Sequence, residues 1–446
     1  MKVKEIPSIK TSVPGPKSAS IIEEAKKYLV TTTRFSYIVI AKMENDLIFD
    51  VDGNVYIDLA AGIAVANIGH RNPEVLAAVK AQLEKYIHTG PHDWFDEIQL
   101  EYAKKLVKYI PGQFDKKVFY ANSGTESVEA AIKIARWNKK RPLILAFYGA
   151  FHGRSLGSLT LTASKKAHRR YFYPYYLSVH APYAYCYRCP FKLDPSNCNA
   201  YCADFIEEWI FEKVAPPEDI AAIIAEPIQG EGGYVVPHPL FIEKIAKMAK
   251  KYDMLFIVDE VQTGFARTGK MFSIEHFNAV QDIITVAKSI ANGFPLGATV
   301  IRSDLDFGYE GAHSSTFGGN AVSLAAANAT LDYIIKHRLW ERAAKLGDQA
   351  LKIFNELKDE TEILGDVRGK GLFIGLEFVK NKDTKEYGTE ERDKITELAY
   401  KKGLVVLPAG RSVLRLAPPL TITDENWDYA LNILVEIIKE VDKKRT

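Results

Sequence analysis

No stretch of this sequence is apolar for long enough to cross a membrane, and its start, Met1-Lys-Val-Lys-Glu5, has no apolar core of a signal peptide. Charge of one sign is missing as well. Lys and Arg number 58 against 56 Asp and Glu, a formal net charge of +2. No basic block stands out apart from the terminal Lys443-Lys444-Arg445, so the footprint of a nucleic-acid binder is absent. The expectation is a cytoplasmic protein with neither nucleic acid nor membrane as partner. Methionine is scarce, at 5 residues, beside many Lys, Glu, Ile and Tyr, a balance that suits a thermophile. Cysteine is scarcer, at 4, and every one falls in Cys186-Tyr-Arg-Cys189-Pro…Cys198-Asn-Ala-Tyr-Cys202. That spacing suits zinc or an iron–sulfur cluster, two disulfides of the kind known in hyperthermophiles, or four reduced thiols. The expectation is a structural staple, by metal or by disulfide.

What is present is the composition of a globular protein, 47% hydrophobic and 26% charged over 446 residues, enough for two or three domains with large cores. Pro7, Pro14, Gly15 and Pro16 predict an extended arm, and Ser20 with Glu23 predicts a capped helix over 21–29. Short strands follow over 37–59 with a turn at Asp52-Gly53-Asn54, then a small-residue loop over 60–70 and a helix over 73–86. From about 97 to 335, helical patterns alternate with apolar runs at 117–120, 143–147, 220–225, 255–258 and 283–287. Such alternation predicts an α/β fold with a mainly parallel sheet. Helices over 320–337 and 341–357 precede a change to strands at 372–378, 404–407 and 413–416. The expected division is an arm and strands over 1–66, a large domain over 67–338, and a C-terminal part of a smaller α+β domain over 339–446.

The run 255–258 delivers Asp259 at its end, and the run 283–287 delivers Lys288. An acid and an amine brought to the same edge of a parallel sheet suit a lysine Schiff base on a pyridine aldehyde. The acid would keep the ring nitrogen protonated so that the ring accepts electrons. Asn122-Ser123-Gly124-Thr125-Glu126 opens a helix, where amides, dipole and hydroxyls can grip a phosphate; an ordinary N-cap has the same pattern. In Phe151-His152-Gly153-Arg154, an aromatic can stack on a flat ring and an arginine can take a carboxylate. In Glu226-Pro-Ile-Gln-Gly-Glu231-Gly-Gly, a carboxylate in a Gly-rich loop makes sense as the partner of a movable arginine.

These motifs, together with Asp259-Glu-Val261-Gln262-Thr-Gly-Phe-Ala-Arg-Thr-Gly269 and Lys288, occur in this order in one family. From about residue 49 to 420 the chain resembles the class III (ω-amino acid) pyridoxal-phosphate aminotransferases of fold type I. The resemblance implies that Lys288 bonds to pyridoxal 5′-phosphate, Asp259 meets the pyridine nitrogen and Gln262 the ring hydroxyl. It implies Val261 and Phe151 on the two ring faces, with His152 among the cofactor contacts. Ser123, Gly124 and Thr125 would hold the phosphate, with Thr316 reaching over from a partner subunit of a homodimer. Arg415 would bind the α-carboxylate of a 2-oxo acid, Glu231 would neutralise it for ω-amino acids, and Arg154 would take the distal carboxylate.

The loop Ala60-Ala-Gly-Ile63 resembles the 4-aminobutyrate branch, since the ornithine branch places a tyrosine at Ile63. Amino acid racemases share the scaffold, and for them an aspartate is expected where Glu231 stands. The expected activity is transfer of an amino group from 4-aminobutyrate or another ω-amino acid to 2-oxoglutarate. Racemase, ornithine aminotransferase and non-catalytic scaffold remain the alternatives.

Overall fold

Seven strands make the central sheet, in the order Lys116–Ala121, Gly297–Arg302, Ile283–Val286, Leu255–Asp259, Ile220–Ala225, Leu143–Phe147, Ser178–Ala181. The structure is a computed structural model that describes residues 6–32, 37–172 and 178–444. Met1 to Glu5 and Arg445 lie outside them. Gly297–Arg302 runs antiparallel to both neighbours, and the other strands are parallel. Ile220–Ala225 and Leu255–Asp259 are buried at every position, as expected of strands covered on both faces. The helix Gly124–Lys139 packs Val128, Ala131, Ile132 and Ala135 into one face of this sheet. The helices Phe241–Lys251 and Ala321–Lys336 contribute to the larger apolar cluster on the other side.

Two smaller sheets bring the ends of the chain together. The first holds Ile40–Glu44, Leu47–Asp50 and Val55–Asp58, and Leu404–Val405 joins it as a parallel strand beside Val55–Asp58. The second holds Leu364–Lys370, Phe373–Asn381, Val413–Leu416 and Leu407–Ala409, with Glu386–Tyr387 alongside. The apolar run 404–407 is therefore not one strand. It divides at Val406 and serves two sheets, a change of partner that periodicity does not encode.

Local corrections follow from end chemistry. The first helix is Pro16–Tyr28 with Gly15 as N-cap, because Pro16 is preset for the first helical turn; Ser20 lies inside it and caps nothing. Glu23 pairs with Lys26 instead of closing a capping box. The helix before Ile220–Ala225 starts as α-helix at Tyr201–Phe205 and widens to a π-type turn over Ile206–Phe211. Strands Ser178–Ala181, Gly297–Arg302 and Leu364–Lys370 are additional to those expected.

Candidate active site

The C-terminal ends of two adjacent central strands set the site. Asp259 closes Leu255–Asp259 and is 3% exposed. Its Oδ1 accepts the Val261 amide at 3.0 Å, and its Oδ2 pairs with His152 Nδ1 at 2.7 Å. His152 is buried, and its Nε2 has no hydrogen-bond partner among the described residues. A carboxylate held by both oxygens is fixed in orientation yet keeps lone pairs for another N–H.

Lys288 follows Ile283–Val286 at the first position of a short 3-10 turn, with a left-handed φ of 48°. Such backbone costs a non-glycine residue about 1 kcal/mol or more and is characteristic of functional sites. Its amine has no hydrogen bond among the described residues. Burial first, and the Arg415 guanidinium next, push its pKa down to about 8, against the pull of Glu226, Asp259 and Glu231. A good share of this amine is therefore neutral near physiological pH.

Ser123 caps the helix Gly124–Lys139, its Oγ accepting the Glu126 amide at 3.3 Å, so the positive end of a long helix is presented here. Thr125 Oγ1 lies 2.8 Å from Ser155 Oγ and 2.6 Å from Ser158 Oγ, a cluster of hydroxyls beside that end. Two glycines permit the close approach. A Cβ on Gly124 would come within 2.7 Å of Val261, and one on Gly153, at φ +133°, within 2.2 Å of Thr125 Oγ1. Phe151 carries the Arg154 guanidinium 5.3 Å from its ring centroid, and Arg154 is exposed. Gln262 is buried against Gly230.

Glu231 stands between two cations. Its Oε2 lies 3.2 Å from Arg415 Nη1 and its Oε1 lies 2.5 Å from Lys165 Nζ. Burial alone would raise its pKa, but Arg415 and Lys165 together hold it below the ordinary carboxylate value. Arg415 is 4% exposed on Val413–Leu416, and its Nε is buried with no partner among the described residues.

Two expected residues are not drawn into this group by any contact within the chain. Thr316 is exposed in the loop before Ala321–Lys336. Ile63 is 44% exposed, in a turn where Ala61, Gly62, Ile63 and Ala64 all have left-handed φ. For a β-branched residue this is an outlier held by its surroundings. The cysteines also depart from expectation. All four are free, and among the described residues no group of three or more His, Cys, Asp or Glu is placed to hold a metal ion. No disulfide is formed among them. The four thiols line one cavity of about 20 Å³ beside Phe191 and His238, and burial, with the other thiols, pushes Cys202 up to about 12.

Two residues went unassigned in the sequence. Glu226 accepts the amides of Phe151 at 3.0 Å and Gly230 at 2.8 Å, tying the two loops together, and burial pushes it up to about 7. Its place in the Glu226–Glu231 motif was the available signal. Lys165 belongs to Lys165-Lys166-Ala-His168-Arg169-Arg170, a local basic run that was the available signal.

Residues 29–438 match the aminotransferase class-III family. The chain is 38% identical to a leucine/methionine racemase of Thermococcus litoralis, over 95% of this chain and 96% of that one. It is 37% identical to a probable 4-aminobutyrate aminotransferase of Bacillus subtilis, over 88% and 91%. A thermostable (S)-enantioselective omega-transaminase from Thermomicrobium roseum has the same fold, with TM-score 0.87 and 31% identity over 95% and 98%. The chain belongs to the class-III aminotransferases, enzymes of the fold type I architecture that depend on pyridoxal phosphate.

Proposed function

We propose that the enzyme transfers an amino group from 4-aminobutyrate or another ω-amino acid to 2-oxoglutarate, working as a homodimer. The observation that carries this reading is the Arg415–Glu231 pair, an arginine masked by a removable carboxylate near Lys288. The residues present fit pyridoxal phosphate. Lys288 brings an amine without a hydrogen bond among the described residues, Asp259 a fixed carboxylate, and Ser123 to Thr125 a hydroxyl-lined helix end behind Gly124. Bound there, the cofactor supplies an electron sink for the substrate carbon that carries nitrogen.

In this reading the chain's own groups do the rest. Lys288 Nζ takes the proton from that carbon and returns it elsewhere, a task for which a pKa about 8 is suited. Asp259, oriented by His152, would keep a proton on the ring nitrogen. Phe151 and Val261 would flank the ring, Gln262 would meet its hydroxyl, and Thr316 of the partner subunit would complete the phosphate grip. Arg154 receives a distal carboxylate, and Ile63 borders the substrate.

Racemisation is the rival reading, favoured by the Thermococcus litoralis relative. It needs a second group that both takes and gives a proton. Glu231, held ionised by two cations, is poor at giving one. The test is incubation of single amino acid enantiomers and of 4-aminobutyrate, each with and without 2-oxoglutarate. Glutamate formed only with the acceptor is expected; inversion without any acceptor would overturn the proposal.

A further inference from the structure

Glu231 holds its two cations unequally. The Lys165 contact is the short one, at 2.5 Å, whereas Arg415 is met by one nitrogen at 3.2 Å and keeps a buried Nε with no partner among the described residues. A guanidinium fully committed to a carboxylate is gripped by two parallel N–H donors. Arg415 is only partly committed, and the carboxylate has a second seat already beside it. Lys165 lies just before the short helix Lys166–Arg169, whose His168 accepts or donates at Ser164 Oγ (3.0 Å) and packs edge-on against Phe151 at 5.4 Å. The second seat is thus built on the same surface as the ring-flanking aromatic. Charge points the same way. Two cations, Arg415 and Lys165, share the single carboxylate of Glu231, a surplus that suits a pocket awaiting an anionic substrate.

We propose that Lys165 is a specificity-determining residue, the alternative seat to which Glu231 withdraws when Arg415 binds the α-carboxylate of a 2-oxo acid. This rests on the transfer reading above. With an ω-amino acid, Glu231 bridges both cations and Arg415 stays masked. With 2-oxoglutarate, the carboxylate moves wholly onto Lys165 and never has to remain unpaired in a partly buried site. The gate is then an exchange between two seats, and Lys165 sets its balance toward the acceptor. Lys165 acts through Glu231 and does not itself touch the substrate.

The test separates the two half-reactions of the holoenzyme by single-turnover absorbance. In Lys165→Met, Glu231 has only Arg415 left, so the 2-oxoglutarate concentration for half-maximal rate should rise about tenfold. The ω-amino acid half-reaction should stay within about twofold. Lys165→Arg should recover most of the acceptor affinity, and an unchanged melting temperature for both variants shows that folding is intact. In a Glu231→Gln background Arg415 is unmasked, and the Lys165→Met effect should vanish. Persistence of the effect in that background would mean that Lys165 binds the substrate directly, and would overturn the proposal. So would equal losses in both half-reactions, or none. The underlying reading fails separately: it falls if Arg415→Met leaves the 2-oxoglutarate half-reaction unchanged.

Discussion

Two glutamates in this molecule each face a pair of cations, and they are held in different ways. Glu377, 1% exposed on Phe373–Asn381, accepts from Arg368 Nη1 at 2.7 Å, from Arg188 Nε and from the Tyr185 hydroxyl. Arg368 spends its remaining donors on Asp366, the Tyr185 hydroxyl and the carbonyls of Gly233 and Tyr234. Glu231, two residues from Gly233, is more exposed, and its arginine meets it through one nitrogen at 3.2 Å. The three donors that grip Glu377 make it a fixture, whereas in the proposed reading Glu231, met by one nitrogen of its arginine, is the switch. The fixture also holds the switch, because Arg368 grips the backbone of the loop that bears Glu231, and Gly410 N donates to the Glu231 carbonyl at 2.8 Å.

Breaking the fixture should have the largest effect. Glu377→Leu takes the carboxylate from Arg188 and leaves Arg368 only that of Asp366, and should cost about 3–5 kcal/mol of stability, read by chemical denaturation. Burial alone would raise the Glu377 pKa, but Arg368 and Arg188 depress it. Its stabilisation is therefore complete above the unfolded value and lost as pH falls through the folded one, so the variant should also lose part of its acid sensitivity.

Removing charge from the switch should matter less to folding. Glu231→Gln should change stability by about 1 kcal/mol or less while slowing the ω-amino acid half-reaction about 10- to 100-fold. The 2-oxoglutarate half-reaction should not slow; if it does, Glu231 is structural like Glu377.

Glu226 sharpens the contrast from the other side, since burial, without a strong cationic partner, raises it to about 7. A raised carboxylate stabilises fully below its unfolded pKa and loses that contribution as pH climbs through about 7. Glu226→Gln should flatten the decline in melting temperature across that window. The smallest effect concerns Lys288, which shares its surroundings with Arg415. The rate at which apoprotein captures pyridoxal phosphate should rise with pH through about 8 rather than 10.5. In Arg415→Met that midpoint should move upward, because a repelling cation has gone.

Much of the fold was legible because burial leaves a local imprint. The runs before Asp259 and Lys288 are apolar throughout, since both faces of the central strands are covered. The edge strand Ser178–Ala181 and the antiparallel Gly297–Arg302 lack so clear an imprint and were missed. Of the site, the Ser123–Thr125 turn and the strand-end groups could be read, because helix starts and strand ends have their own residue chemistry. His152 was visible as a motif member, but its bond to Asp259 was not.

By itself the sequence determined which chemistry the chain carries and which edge of a parallel sheet displays it, because residue type and burial period are local properties. Tertiary structure alone decided that Lys165, far away in the chain, joins Glu231 and Arg415 at one point, and that residues 404–409 divide between two sheets. Charge pairing and strand partnering across such separations depend on topology, and no periodicity in the chain records it.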